Sequence, residues 1–186
     1  MTDEQSSRKD RIYLTGFMGS GKSTIGPILA NTVGYDFVDV DRTIESREGK
    51  TVNEIFQEHG EKYFRKLERD IINEISARRG IVISLGGGTV TDPEIFHLIT
   101  STGIMVYLKV TPEQLFRRLH HRTDRPLLSD AEGNRLSEEV LRDRIRVLYE
   151  AREPLYARAD IVIPTDDVRI GLTVDTIVKR LHQFFR

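Results

Sequence analysis

The chain contains no cysteine. That excludes disulfides, thiolate nucleophiles and cysteine-based zinc sites. It also suits a reducing compartment, so a cytoplasmic location is the expectation. Long apolar runs are missing as well. No window approaches the ~18 uncharged apolar residues that a membrane-spanning helix needs. Met1 to Arg11 is polar and charged, without the apolar centre of a signal peptide. An excess of one charge is lacking too. The 28 Lys and Arg residues face 29 Asp and Glu residues, for a net charge of −1. Nucleic-acid binders usually carry a basic footprint, so no nucleic-acid partner is expected. Internal repeats and low-complexity segments are absent.

Apolar residues make up 38% of the 186 positions and charged residues 31%, an ordinary globular balance. The length suits a single domain over residues 1–186, large enough to bury a full core without covalent staples.

The segment Gly16-Phe17-Met18-Gly19-Ser20-Gly21-Lys22-Ser23-Thr24 follows the apolar run Ile12-Tyr13-Leu14 directly. It fits G-x-x-x-x-G-K-[ST], the P-loop pattern that binds nucleoside triphosphates. The glycines let the backbone aim several N–H groups at one phosphate. The Lys22 ammonium can reach the outer phosphates, and the Ser23 hydroxyl can ligate Mg²⁺. The following helix turns its N-terminus toward the anion. A glycine-rich turn capping a helix is the bland alternative; the strand before and the helix after favour the P-loop.

Five short apolar runs read as strands: Ile12–Leu14, Phe37–Val40, Ile81–Leu85, Met105–Lys109 and Ile161–Ile163. They are near-continuous rather than alternating, which suits strands buried on both faces of a parallel sheet. Helical patterns separate them. In Glu61–Arg79 the residues Phe64, Leu67, Ile71 and Ile75 form one face. Thr111-Pro112-Glu113-Gln114 reads as N-cap, N1 proline and capping box. Asp92-Pro93 and Ser137 open two further helices. Alternating strands and helices predict an α/β/α three-layer sandwich on a five-stranded parallel sheet. Ligands then bind beyond the carboxyl ends of the strands. The P-loop, Asp39-Val40-Asp41 and Gly86-Gly87-Gly88 all stand at such ends. Two longer segments interrupt the alternation. One, about residues 42–80, holds extra helices. The other, about residues 122–136, is rich in Arg, Asp, Pro and Gly and reads as a mobile lid or as an ordinary connector.

Phosphoryl transfer asks for positioning and charge neutralisation. Asp39 and Asp41 are two residues apart, and an extended chain would point both carboxylates to one side. One could hold Mg²⁺ through water and the other accept a proton from an acceptor hydroxyl. Alone they would read as solvated loop carboxylates; beside a P-loop the functional reading is better. The glycine triplet serves either as a flexible exit turn or for close backbone approach to a ligand. Arg65 and Glu68, three apart on one helix, can orient each other. Arg152 and Arg125 could read an anionic acceptor or developing phosphate charge. His120-His121 lacks partners at metal-ligand spacing and reads as a helix end.

Taken in order, Gly19-Ser20-Gly21-Lys22-Ser23-Thr24-Ile25-Gly26, Asp39-Val40-Asp41, Glu54-Ile55-Phe56, Gly60-Glu61, Phe64-Arg65 with Glu68, Gly86-Gly87-Gly88, Arg125-Pro126-Leu127-Leu128 and Arg152-Glu153-Pro154-Leu155-Tyr156 resemble the shikimate kinase family. The likeness runs from about residue 11 to the C-terminus. It implies a P-loop nucleoside triphosphate hydrolase-like fold of the nucleoside monophosphate kinase type. It implies transfer from ATP to the 3-hydroxyl of shikimate with Mg²⁺, by a monomer whose partners are small molecules. By resemblance, Gly19, Ser20, Gly21, Lys22, Ser23 and Thr24 bind ATP, with Arg118 against the adenine and Arg125 on the phosphates. Ser23 ligates Mg²⁺, and Asp39 does so through water. Asp41 binds a ring hydroxyl and orients or deprotonates the 3-hydroxyl. Arg65 and Arg152 clamp the carboxylate. The Gly87 backbone touches the substrate, Phe56 and Phe64 wall the pocket, and Glu68 holds the arginines. Lys22, Asp41 and Arg125 are the catalytic set. Two departures stand out: Pro27 inside the P-loop helix, which costs ~3 kcal/mol at an interior position, and Val168 where a polar or basic side chain near the adenine is common. A related gluconate or nucleoside monophosphate kinase and a nucleotide switch are the rival readings.

Overall fold

The computed structural model describes residues 10–121, 126–128, 134 and 136–185. Arg125 and most of the segment read as a lid lie outside the described residues.

Five strands form one parallel sheet in the order β2-β3-β1-β4-β5. They are β1 (Arg11–Thr15), β2 (Asp36–Asp39), β3 (Ile81–Ser84), β4 (Ile104–Lys109) and β5 (Ile161–Pro164). Tyr13 of β1 stands in register between Ile83 of β3 and Met105 of β4. All three are fully buried. The central strands face helices on both sides, which is why their sequences are continuous apolar runs rather than alternating ones.

The helices are α1 (Lys22–Val33), α2 (Val40–Glu48), α3 (Val52–Ile75), α4 (Pro93–Thr102), α5 (Pro112–Leu119), α6 (Glu138–Tyr156) and α7 (Ile170–Leu181). On one face, Ile25 and Leu29 of α1 and Ile177 and Leu181 of α7 pack with Ile12, Leu14 and Val106. On the other, α2 to α6 pack over Tyr13, Ile83 and Tyr107. Two apolar faces on one sheet give the three expected layers. Among the described residues, no helix is long and apolar enough to cross a membrane.

The chain leaves β1 for α1 on one face and leaves β3 for α4 on the other. Between these neighbouring strands the connections diverge, so a crevice opens at their carboxyl ends. The P-loop forms one wall and the glycine triplet the other.

Three local expectations change. Val40 is not strand. The Asp39 carboxylate accepts from the Arg42 backbone N–H and caps a helix that starts at Val40. Asp41 therefore sits in the first turn of α2, and extended-chain alternation does not place it. The helix expected over Glu61–Arg79 begins earlier, behind the Thr51–Glu54 capping box, and ends at Ile75. It bends at Gly60, where φ is 76° and ψ 172°. Thr111 does cap α5, but Gln114 does not complete a box. The Thr111 N–H goes instead to Asp166, at 3.1 Å. The Gln114 amide donates to Asp167, at 2.9 Å. Carboxylates are stronger acceptors than the atoms a box would supply.

Pro27 is exposed and α1 runs unbroken through it. The Gly21 carbonyl accepts from both Thr24 and Ile25, so the first turn is already tightened. Nothing in the structure explains the choice of proline.

Candidate active site

The P-loop is shaped by its own backbone. Gly19 has φ 80° and Gly21 φ 101°, values that favour glycine. The Ser20 N–H closes the turn onto the Phe17 carbonyl at 3.1 Å. Lys22 is the first residue of α1, and its buried ammonium donates to the Gly16 and Phe17 carbonyls at 2.7 and 3.1 Å. It is thus held across the loop, where bound phosphates would lie.

Ser23 follows, and its hydroxyl donates to Asp39 Oδ2 at 2.7 Å. Asp39 is buried. With its proton committed, the Ser23 oxygen keeps its lone pairs for a cation. A hydroxyl and a carboxylate oxygen side by side suit Mg²⁺, which takes a few protein oxygens and retains several waters. The residues present fit the ion.

A cleft of about 880 Å³ joins this loop to the acceptor-side residues. Residues 18–25, Asp39, Asp41, Phe56, Phe64, Arg65, the glycine triplet, Arg118 and Arg152 all line it. Glu68 stands behind the wall, 3% exposed, and pairs with Arg65 Nη1 at 2.7 Å. Its other oxygen accepts from the Thr89 hydroxyl. Arg65 also grips Glu61 through Nε and Nη2, at 3.2 and 2.9 Å. Burial alone would lower the pKa of Arg65, but Glu68 and Glu61 outweigh it and hold it above the ordinary value. A guanidinium has five N–H groups, so two remain, one on each terminal nitrogen. That is enough for a bidentate carboxylate.

Arg152 comes from the other side of the cleft. It is buried, donates from Nη1 to the Gly87 carbonyl at 3.3 Å, and lies over the Phe17 ring at 5.9 Å. Glu68 was expected to hold both arginines; it holds Arg65, whereas Arg152 rests on Gly87 and Phe17. Phe56 and Phe64 touch at 4.8 Å between ring centroids and form one apolar wall.

The triplet is glycine for want of space. A Cβ on Gly86 would overlap Glu68 and come within 3.1 Å of Asp41 Oδ1. One on Gly88 would overlap the Arg65 guanidinium. One on Gly87 would stand 3.2 Å from the Met18 nitrogen of the P-loop. The donor loop and the acceptor wall are therefore in contact at this point.

Arg118 reaches from α5 and donates to the Gly19 carbonyl and the Thr165 carbonyl, each at 3.2 Å. It ties the P-loop to the turn after β5. Asp166 and Asp167 anchor the same turn to the start of α5. Val168, 42% exposed, lines the same cleft as Arg118, so this edge offers an apolar surface where a polar or basic side chain is common in the family.

Sequence reading missed Phe17, Thr89 and Tyr156. Phe17 occupies a variable position of the P-loop pattern, and Thr89 only follows the triplet. Tyr156 had a signal, its place four residues after Arg152.

A protein-family model described as shikimate kinase matches residues 18–182. The curated shikimate kinase of Prosthecochloris aestuarii is 49% identical over 175 residues, covering 94% of this chain and 89% of that protein. Among solved structures, shikimate kinase from Bacteroides thetaiotaomicron superposes with a TM-score of 0.83 at 37% identity, over 92% of this chain and 98% of that one. Shikimate kinase from Acinetobacter baumannii in complex with shikimate gives 0.86 at 32% identity, over 94% and 93%.

Proposed function

The chain belongs to the shikimate kinase family, and on that premise we propose that it transfers the γ-phosphoryl group of ATP to the 3-hydroxyl of shikimate, giving shikimate 3-phosphate and ADP. The bond between the 3-oxygen and the γ-phosphorus forms as the bond from that phosphorus to the β,γ-bridging oxygen breaks. The P-loop N–H groups and Lys22 cradle the phosphates and neutralise charge as it moves to the leaving group. Ser23, with Asp39 directly or through water, would hold Mg²⁺, which neutralises phosphate charge when bound. Asp41 turns the 3-hydroxyl toward the γ-phosphorus and takes its proton. Arg65 and Arg152 clamp the carboxylate, Glu68 keeps Arg65 in place, and the Gly87 backbone meets the ring. Phe56 and Phe64 shield the apolar side. Arg118 stacks against the adenine, and Arg125 reaches the phosphates from the segment at residues 122–136. Residues 42–80 supply Phe56, Phe64, Arg65 and Glu68 to the acceptor side.

The observation that carries this reading is the glycine triplet. Arg65 packs on Gly88, Arg152 donates to Gly87, and Gly87 abuts the P-loop at Met18. Two cations for one carboxylate thus stand one peptide away from the phosphate loop. ADP release with ATP and Mg²⁺ over a panel of acceptors tests it. Shikimate should stimulate strongly, and gluconate and nucleoside monophosphates should not. Strong stimulation by one of those, with none by shikimate, would overturn the assignment.

A further inference from the structure

The glycine triplet presents a physical problem. It has no side chains to fix its peptides, and glycine is the residue with the most backbone freedom to lose. Yet the acceptor wall needs a peptide of fixed direction. Among the described residues, none of the three N–H groups of Gly86, Gly87 and Gly88 donates a hydrogen bond. They are available to a ligand and contribute nothing to holding the segment still.

The carbonyl of Gly87 is held instead. It accepts from the Tyr156 hydroxyl and from Arg152 Nη1. Arg152 and Tyr156 are four residues apart on α6, so they lie on one helix face and converge on one atom. The Tyr156 ring is fully buried and packs on Tyr107, with centroids 5.2 Å apart. The Tyr107 hydroxyl in turn meets the Tyr149 hydroxyl at 3.2 Å. Packing therefore sets the direction of the Tyr156 hydroxyl before any ligand arrives.

We propose that Tyr156 is a positioning residue for the acceptor, whose hydroxyl clamps the Gly87 carbonyl and so fixes the peptides that face the acceptor ring. The proposal rests on the reading above that Gly87 meets shikimate. It explains why a phenol is needed in addition to the arginine. Arg152 must serve the acceptor carboxylate, and the Tyr156 hydroxyl keeps the Gly87 carbonyl paired while it does so. The Gly87 carbonyl is part-buried, so leaving it without a donor would cost part of the desolvation penalty. Burial pushes the Tyr156 phenol up to about 12. The hydroxyl therefore keeps its proton, and its capacity to donate, throughout the neutral range.

Tyr156→Phe removes one oxygen and leaves the ring to pack. Loss of this bond should raise the KM for shikimate about tenfold, with the KM for ATP unchanged. A purely structural role would instead lower the apparent kcat through a smaller folded fraction, or raise both KM values together through a distorted cleft. Unchanged constants for both substrates, or equal loss on both, would overturn the clamp. A second measurement needs no variant. In the acceptor-free protein the Gly87 and Gly88 amides should have order parameters near the ~0.85 of rigid backbone. Values of a flexible loop would also overturn it. Phosphorylation of shikimate by the unaltered protein is measured alongside. Its absence would remove the functional reading, whereas normal turnover with an indifferent Tyr156→Phe removes the clamp alone.

Discussion

The donor and acceptor sides of the cleft both depend on glycine, and for different reasons. In the P-loop, Gly19 and Gly21 take positive φ, so the requirement is conformational and lies within a few consecutive residues. In the triplet after β3, no φ is positive. There the requirement is space, set by Glu68, Arg65, Asp41 and Met18 arriving from elsewhere in the chain. The positive φ of these two glycines is thus a local requirement of the strand–loop–helix unit, even though Arg118 and Asp39 reach the loop from elsewhere. The acceptor side exists only after α2, α3 and α6 have packed against the sheet. One side can keep its shape while the other is lost, and substitutions should separate them.

The largest effect expected is on the donor side. Lys22→Met should lower kcat by about 10³-fold, the scale of losing a preorganised charge at the transition state. Its circular dichroism should stay that of the folded protein. Near-normal turnover of a folded Lys22→Met protein would show that the P-loop does not act as described. Next is Arg152→Ala, which should raise the shikimate KM about 10²-fold and leave the KM for ATP nearly unchanged. Equal loss for both substrates would mean that the two sides are not separable at Arg152. The glycines test the comparison directly. Gly88→Ala meets the Arg65 guanidinium and should raise the shikimate KM at least about tenfold, with ATP binding spared. Gly21→Ala places a side chain at positive φ, costs ~1–2 kcal/mol of stability, and should weaken ATP instead. If the two substitutions gave the same pattern, the two reasons for glycine would collapse into one. The smallest effect concerns the residue that belongs to both sides. Phe17 is part of the P-loop, but its ring lies under Arg152. Phe17→Leu removes a cation–π contact worth ~0.5–1 kcal/mol. It should therefore raise the shikimate KM a few-fold, and a change in the ATP constant alone would place Phe17 wholly on the donor side.

Legibility in the sequence follows the same division. The strands were readable because residues such as Tyr13, Ile83 and Met105 are buried on a two-sided sheet and form unbroken apolar runs. The P-loop was readable because its conformation and its chemistry sit in one short segment. The acceptor residues stood out on charge and placement, but their roles came only through resemblance, since Arg65 and Arg152 are 87 positions apart in the sequence. Even so, their partners were not foreseen in full. The resemblance pairs Glu68 with both arginines; among the described residues, the arginine it pairs with is Arg65. Thr89 had no signal beyond following three glycines.

The sequence by itself determined the parallel α/β architecture, the phosphate loop and the membership of a kinase family. Each of these is written in local periodicity or in short contiguous motifs. Only the tertiary structure decided how Asp39 and Asp41 divide, because a cap to the Arg42 N–H, rather than strand alternation, sets where α2 begins. It alone decided that a Cβ on Gly86 or Gly88 would meet Glu68 or Arg65, and that Tyr156 and Arg152 share one carbonyl. The cap is local but had to win over the strand reading; the last two facts depend on side chains that reach one point from distant segments, and no local rule records that.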